Sequence, residues 1–439
     1  MQPAHRTPLL PWIALAAILG STLMPQASRA ETLTEALAAT LETNPVLGAQ
    51  REQLAATGES AEIARSGFFP RLTLAASAGR GTLPNVTPVV PVAANAGFDQ
   101  ASWGYSATLE QPLFDGMRTF NSYQEAQEAE LAAQDDLRAV RQGVILQAVK
   151  AYMAVLGDRL ALEQRKKSVA MLAKDLEITN RLETQGHATR TEIDQTAGRL
   201  ALARVTEAAA LSALSASQAG FAATVGHEAG PLTWPALPSA GLPADLDLAK
   251  SDAIRNHPEL GAARRRAKAA TFAIDRVTAD FLPQVSLNAS YGRTYSNPPA
   301  VTDNGDAQLT AQVSLPISLG GEAIAKLRQA KFVLRQRKQD VAAKQREIAA
   351  QLSAAWSALA NLRKQTAFSR AAVTSTGRAL QGIRQQREMG EATALDVINA
   401  EQALADARLQ EIRSSGDLVV AAYEVLAATG GLSPTGYTP

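Results

Sequence analysis

The chain is a tandem duplication, and this feature constrains its fold more than any other. Residues 40–80 align with residues 253–293 at a constant offset of 213. Farther along, residues 182–204 align with residues 386–408 at an offset of 204. The nine residues lost in the second copy fall between its two strand-like segments, as expected of a variable surface loop. The fold must therefore be one unit used twice.

Each copy contains the same series of predicted elements: a helix, two strands, a very long helix, a turn and a returning helix. The first repeat (31–226) has a strand hairpin at 71–113, a long helix at 117–184 and a helix at 190–225. The second repeat (248–430) has a hairpin at 284–317, a long helix at 321–388 and a helix at 394–429. A linker at 227–247 joins the repeats, and a tail follows at 431–439.

Local signals mark where these elements begin and end. Asn44 and Asn256 are expected to cap the first helix of each copy, ahead of a proline at its start. Pro70 and Pro283 end that helix, because proline cannot continue it.

The strand-like segments alternate apolar with small or polar residues, which predicts a sheet with two different faces. In the first strand, the apolar positions are Leu72, Leu74, Ala76 and Ala78, and the intervening ones are Thr73, Ala75 and Ser77. An open sheet edge is not viable in a bilayer, so other chains would have to close such a sheet, with the apolar face toward lipid. Two short hairpins packed on soluble helices are the alternative. Residues 71–80 are the least apolar strand, where we expect the register to be least certain.

The helical stretches are too long for an ordinary globular domain. Proline is absent between Pro112 and Pro231 and between Pro316 and Pro434. Apolar residues follow heptad spacing in both copies, at Val144, Ala148, Ala151 and Val155 and at Ile348, Leu352, Ala355, Leu359 and Leu362. Each long helix would extend about 100 Å at 1.5 Å per residue. Gly186 and Gly390 end the pattern, and Thr189 and Thr393 are expected to cap the returning helices.

The N-terminus predicts export. Arg6 precedes an apolar run at 12–24, and residues 28–30 end in a small residue, so residues 1–30 are predicted to be a cleaved signal peptide. The chain has no cysteine, which excludes disulfides and thiolate chemistry, and a net charge of +1, which does not favour nucleic acid as a partner.

Signals of catalysis are missing from the sequence. The four histidines, at 5, 187, 227 and 257, are scattered, and no nucleophile, phosphate-loop or zinc motif occurs. Residues 302–306 (TDNGD) fit a turn better than a calcium loop. The basic runs at 263–268 and 335–339 are expected to be solvated helix faces. We therefore expect no enzyme activity, no cofactor and no metal.

The duplicated unit resembles the TolC family of outer-membrane efflux and secretion channels. The resemblance rests on FFPRLTL (68–74), FLPQVSL (281–287), QPLFDG (111–116) and the two helical-hairpin tips, repeated in the same order. It implies a mainly α fold with a small β part: a long α-helical coiled-coil barrel plus four antiparallel strands per chain. Three chains would complete a 12-stranded transmembrane β-barrel, with residues 226–247 in an equatorial belt.

The resemblance also implies a function. The chain would be a passive exit duct in the outer membrane, reaching into the periplasm, for a tripartite efflux pump or a type I secretion system. Its partners would be two further copies, outer-membrane lipid, a periplasmic adaptor and an inner-membrane transporter of the RND or ABC type. Drug efflux and polypeptide secretion both remain open. A periplasmic coiled-coil adaptor or scaffold without a pore is the alternative.

The family's functional positions can be carried over to the two hairpin tips. Residues matching the adaptor-contact positions are Gly186, Thr189, Gly390 and Thr393. Residues matching the gate and lumen positions are Thr191, Glu192, Asp396 and Asn399. Arg387 and Ala392 occupy places where some relatives have groups that brace the gate, so its bonding here is open. A helix-capping role is the alternative for Asp396.

Overall fold

The computed structural model describes residues 30–83, 98–238, 241–297, 304–317, 319–433 and 436–437. The predicted signal peptide up to residue 29, and most of the loop between the first two strands, lie outside these residues. The helices are α1 (Leu33–Thr43), α2 (Pro45–Ser66), α3 (Arg118–Thr184), α4 (Arg190–Val225), α5 (Leu246–Asn256), α6 (Pro258–Thr278), α7 (Glu322–Glu388) and α8 (Ala394–Ala428). The strands are β1 (Arg71–Leu83), β2 (Phe98–Phe114), β3 (Gln284–Asn297), β4 (Asn304–Ser314), β5 (Leu432–Ser433) and β6 (Gly436–Tyr437).

The duplication is visible in the order of the elements. Helices α1 to α4 and strands β1 and β2 are repeated as α5 to α8, β3 and β4. The two long helices, α3 and α7, have 67 residues each. Short helices α1 and α5, which precede α2 and α6, were not predicted.

Helix capping differs between the two copies. The side chain of Asn44 accepts hydrogen bonds from the backbone of Val46 and Leu47, and so caps α2 as predicted. The prediction for Asn256 is wrong, because this residue is the last of α5. His257 occupies the N-cap of α6 and makes no side-chain capping bond there. The copies align His257, not Asn256, with Asn44, so the second N-cap has lost the amide that accepts such bonds.

Strands β1 to β4 form one antiparallel sheet in sequence order. The register places Leu72 opposite Leu109, Leu109 opposite Ala289, and Ala289 opposite Leu309. Directly paired residues share a face of a sheet, so the apolar positions of all four strands lie on one side. Near the β1–β2 tip this face has a Trp103–Tyr295 ring stack with centroids 4.2 Å apart.

The expectation that register would be least certain in β1 is wrong. β1 pairs with β2 without interruption over its whole length, from Arg71 to Leu83. The irregularity lies between β2 and β3, where the register shifts between Pro112 and Phe114. Proline has no N–H to donate to the ladder, which explains why the disturbance occurs there.

The long helices pack in a layer below the sheet. α3 packs against α2 and α4 of its own repeat and against α6 and α8 of the second repeat. α7 packs against α6 and α8. Helices α2 and α4 therefore lie on one side of this layer and α7 on the other, while β1 and β4 form the two edges of the sheet.

Three apolar clusters lie along the long helices. One surrounds Tyr152 and Phe221, and a second surrounds Ile348, Leu352 and Leu359 of the predicted heptads. A small third cluster lies between α7 and α8 near their tip. The linker crosses the first cluster, where the Tyr152 hydroxyl lies 2.6 Å from the carbonyl oxygen of Thr233. This contact fixes the linker against the middle of α3.

Helix α4 exposes much of its apolar surface. By length and composition it could cross a membrane, and it is the single such helix in the described part of the chain. Within the chain, 17% of its apolar window is buried. Leu202, Val205 and Leu211 are exposed.

Candidate functional site

The candidate site is formed by the ends of the two helical hairpins, α3–α4 and α7–α8. Gly186 and Gly390 both have positive φ angles, 79° and 80°, which a residue with a side chain rarely adopts. At the first tip, the N–H of His187 donates to the carbonyl of Leu182 at 2.8 Å. At the second tip, the N–H of Glu391 donates to the carbonyl of Gln386, also at 2.8 Å. Both long helices therefore end in a Schellman motif.

The threonines at these tips cap the returning helices, as predicted. Thr189 accepts from the backbone N–H of Glu192, and Thr393 from that of Asp396. In return, the carboxylates accept from the threonine N–H groups at 2.7 Å for Glu192 and 2.9 Å for Asp396. These reciprocal bonds are capping boxes.

Capping has a consequence for Asp396. Hydrogen bonds from the hydroxyl of Thr393, and then from its N–H, lower the pKa of Asp396. The carboxylate is thus ionised and held at the first turn of α8, where the helix dipole favours a negative charge. Its local role is that of a cap, and the side chain remains exposed. Thr191 and Glu192 are also exposed, in the first turn of α4.

Among the described residues, two polar contacts join the hairpins close to the tips. The guanidinium of Arg199 on α4 donates to the side-chain oxygen of Asn399 on α8 at 2.8 Å. Farther from the tip, Arg165 on α3 and Asp406 on α8 lie 3.8 Å apart. Asn399 is thus a contact between the hairpins in this structure. The sequence analysis missed Arg199, since the two residues lie 200 positions apart in the chain.

A charged cluster lies beside these contacts. Arg384 donates to Glu401 at 2.6 Å, and the Glu401 side chain is 9% exposed. Asp175 faces this pair from α3, and its Oδ2 is buried without a hydrogen-bond partner among the described residues. Burial raises the pKa of Asp175, the charge of Glu401 raises it further, and Arg387 and Arg384 oppose both.

The cluster borders a cleft of about 140 Å³ between α3, α4 and α8, lined by Arg165, Leu172, Arg199, Ile398, Glu401 and Asp406 among others. Arg387 is one of the two positions whose part in bracing the gate was left open by the sequence, and it contributes its charge to this cluster. Ala392, the other, lies in the turn before α8.

Metal ligation has no visible basis at this site. Among the described residues, no group of three or more His, Asp or Glu side chains is arranged to hold a metal ion. The Asp175–Glu401 pair is instead accompanied by arginines, which balance its charge.

Comparison with known proteins extends these observations to the whole chain. The family model described as "Outer membrane efflux protein" matches residues 36–227 and 249–431, one stretch in each repeat. The outer membrane efflux protein BepC of Brucella suis is 30% identical over 96% of this chain and 90% of its own length. The outer membrane protein TolC of Vibrio cholerae is 24% identical over 97% of this chain and 96% of its own.

Solved structures show the same fold. The CmeC outer membrane channel of Campylobacter jejuni superposes with a TM-score of 0.81 at 15% identity, covering 99% of this chain and 95% of that one. CusC superposes with a TM-score of 0.79 at 16% identity, covering 98% of this chain and 99% of that one. The predicted fold class and family resemblance are therefore confirmed: the chain belongs to the outer membrane efflux protein family.

Proposed function

We propose that three copies of this chain form one outer-membrane channel, in which twelve strands close a transmembrane β-barrel and the long helices enclose a periplasmic tunnel. The observation that carries this proposal is the sheet. Its apolar side chains share one face, and β1 and β4 are left at its edges. In a bilayer such edges need partners, and head-to-tail pairing of β4 with β1 of the next copy supplies them.

The polar face of the sheet then lines the pore. Thr73, Ser77, Ser106 and Thr108 lie on this face in β1 and β2. Small polar side chains leave room for water, whereas the opposite face presents leucine, valine and aromatic rings to lipid. The duct does no chemistry of its own, and the inner-membrane transporter of the RND or ABC type selects the cargo.

The hairpin tips are the proposed docking region for the periplasmic adaptor. The glycines and threonines of both tips (Gly186, Thr189, Gly390 and Thr393) present the same backbone geometry twice in each chain. A trimer would therefore present six similar tips to an adaptor. Separation of the hairpins, by loss of the Arg199–Asn399 contact, opens the channel at this end.

The curated relatives support two kinds of cargo. One is named an alkaline protease secretion protein, AprF of Pseudomonas aeruginosa, which is 25% identical over 87% of this chain and 80% of its own length. Another is the efflux protein BepC. We propose efflux of small molecules first, because BepC has the higher identity and coverage.

The channel is tested with full-length protein extracted from outer membranes in detergent. We expect the mass of a trimer and stepwise conductance in a planar lipid bilayer. A monomer without conductance would contradict the proposal and favour the scaffold without a pore.

The proposed lumen role of Asp396 has its own test. Three copies of this carboxylate near the axis would attract cations, so Asp396→Asn should lower cation selectivity and divalent block. Glu391→Gln, which removes an exposed charge at the same tip, is the matched control. Equal effects of the two changes, or no effect of either, would reject a specific role for Asp396.

A further inference from the structure

A cavity of about 520 Å³ lies between α3, α7 and the place where the end of α8 meets the start of α6. Its apolar lining includes six alanines: Ala139, Ala354, Ala355, Ala358, Ala427 and Ala428. Its polar lining consists of the side chains of Gln142, His257, Glu259, Gln351 and Glu424. None of these residues belongs to the hairpin tips or to the sheet.

The cavity opens on the side of the helical layer opposite to the linker. On α7 the cavity is lined by Ala354 and Ala358, whereas the linker borders a different cavity, beside Trp356 and Ala360. Positions two apart on a helix do not face the same way. In the proposed channel the linker belongs to the belt around the tunnel, so the cavity faces the tunnel lumen.

His257 gives the cavity a polar group without a partner. The residue is 7% exposed, and its Nδ1 has no hydrogen-bond partner among the described residues. Burial lowers the pKa of His257, so the imidazole is neutral at pH 7 and has one acceptor nitrogen. A buried polar atom without a partner costs free energy, and a ligand with an N–H group would provide the missing donor.

The charges around the cavity do not balance. Lys344 lies between two carboxylates, 3.2 Å from Glu259 and 2.8 Å from Glu347. Lys150 lies 2.7 Å from Glu424. Three carboxylates therefore accompany two ammonium groups, which leaves one net negative charge beside a neutral histidine. A cation in the cavity would be attracted to this charge.

The equivalent place in the first repeat has neither the carboxylates nor the unpartnered group. The offsets of 213 and 204 align His257 with Asn44, Glu259 with Val46 and Glu424 with Gly220. The side chain of Asn44 is used at both ends: its oxygen accepts from the N–H of Val46, and its Nδ2 donates to the carbonyl of Thr224 at 3.2 Å. The fold is therefore built in the first repeat without these groups, which indicates a separate role for them in the second.

We propose that this cavity binds a small organic cation with an apolar body and N–H donors, one per chain, as it passes through the tunnel. The inference rests on the proposed function and adds a class of cargo that the wall of the duct itself recognises. The alanines contact the apolar body, Glu259 and Glu424 attract the charge, and His257 accepts a hydrogen bond. Binding must be weak enough to release the cation, as conduction requires.

The test uses full-length protein in detergent and three probes of similar shape: 4-phenylbenzamidinium, neutral 4-phenylbenzamide and anionic 4-phenylbenzoate. Isothermal titration calorimetry should show one cation bound per chain, and binding at least about tenfold weaker for the amide and the acid. Since the amide also has N–H donors, its difference from the cation measures the effect of charge. Equal binding of the three probes, or no binding of the cation, would overturn the site.

Variants assign the binding to this cavity. Glu424→Gln should weaken cation binding by about tenfold or more, since it removes a charged hydrogen-bond acceptor. His257→Asn, the residue of the first repeat, should also weaken it, because an amide there can make the backbone bonds of Asn44. Ala354→Phe fills the cavity from an exposed position, so it should abolish binding while the fold persists. Glu391→Gln, an exposed carboxylate at the tip, is the control and should bind like the wild type.

Circular dichroism and native mass accompany each titration. Unchanged affinity in both Glu424→Gln and Ala354→Phe would overturn the proposed site. The cavity lies within one chain, so the titration reports on it whatever the native mass. A monomeric wild type contradicts the proposed function, whereas a conducting trimer that does not bind the cation overturns this inference and leaves the channel intact.

Discussion

Helices α3 and α7 are equal in length and equivalent in the duplication, yet they differ in burial. Fifteen side chains of α3 are buried within the described chain, against seven of α7. The difference follows from the neighbours of each helix, since α3 lies between two repeats and α7 lies at one side of the helical layer. A duplicated chain therefore shows by its less covered copy where another molecule is needed.

The largest difference in stability is expected between two equivalent aromatic residues, Tyr152 on α3 and Trp356 on α7, when each is replaced by alanine. Tyr152 is fully buried and its hydroxyl bonds the linker, whereas Trp356 is partly buried. Tyr152→Ala should lower the free energy of unfolding by about 3–5 kcal/mol, the usual cost of deleting a buried aromatic side chain. Trp356→Ala should cost clearly less. Denaturant unfolding followed by circular dichroism provides the measurement, and equal losses would show that the two helices are covered alike.

A smaller effect should distinguish the ion-paired contact of α3 with α6 from the exposed side of α7. Glu128 is buried and paired with Lys268 and Arg265, so Glu128→Gln should destabilise the chain by about 1–3 kcal/mol. High salt should reduce this loss, because the two cations are partly exposed and screened. Phe332→Ala removes an exposed side chain, so the free energy of unfolding should change little at either salt concentration. Urea titrations in 0.05 M and 1 M salt compare the two variants. Salt-independent loss for Glu128→Gln would contradict an ionic contribution.

At the hairpin ends, a still smaller energy is expected for the interaction between Arg199 and Asn399. Arg199→Ala and Asn399→Ala each remove the same hydrogen bond, so their effects should not add. The coupling should be about 0.5–1.5 kcal/mol, typical of one such bond. Both variants should also raise the open fraction of the channel in planar bilayers. Arg204→Ala, on the same helix, is the control. Additive effects of the two changes would mean that the bond does not hold the hairpins together.

The smallest effect is a dependence on pH. Burial raises the pKa of Asp175 above its unfolded value, so the folded chain holds that proton more tightly than the unfolded chain. Stability from this group is therefore greatest at low pH and decreases as pH rises from the unfolded to the folded pKa. Asp175→Asn, which cannot ionise, should raise the Tm at pH 7 and give no gain near about pH 3, below the ordinary pKa of aspartate. A Tm gain that is the same at both pH values would rule out ionisation of Asp175 as the cause.

Much of the fold could be predicted because its signals are local. Alternation at Leu72, Leu74 and Ala76 gave the strand, and heptad spacing around Leu352 and Leu359 gave the helical core. The capping threonines, Thr189 and Thr393, were found for the same reason, since a cap and its helix lie within four residues of each other.

The site was less predictable because its contacts are not local. The roles assigned to Asp396 and Asn399 came from family positions and stay predictions. The structure adds that Asp396 belongs to a capping box and that Asn399 accepts from Arg199. No spacing rule connects residues 200 positions apart, so Arg199 carried no signal in the sequence.

The sequence by itself determined the duplication, the alternating strands, the unbroken long helices and the position of the tips, because each depends on periodicity or on short-range chemistry. The tertiary structure alone decided which charges pair and which apolar faces remain open. Glu128 and Phe332 occupy equivalent places in the two repeats, yet Glu128 is buried against its partners whereas Phe332 is exposed. That outcome depends on which helices lie side by side, and a one-dimensional pattern does not contain this information.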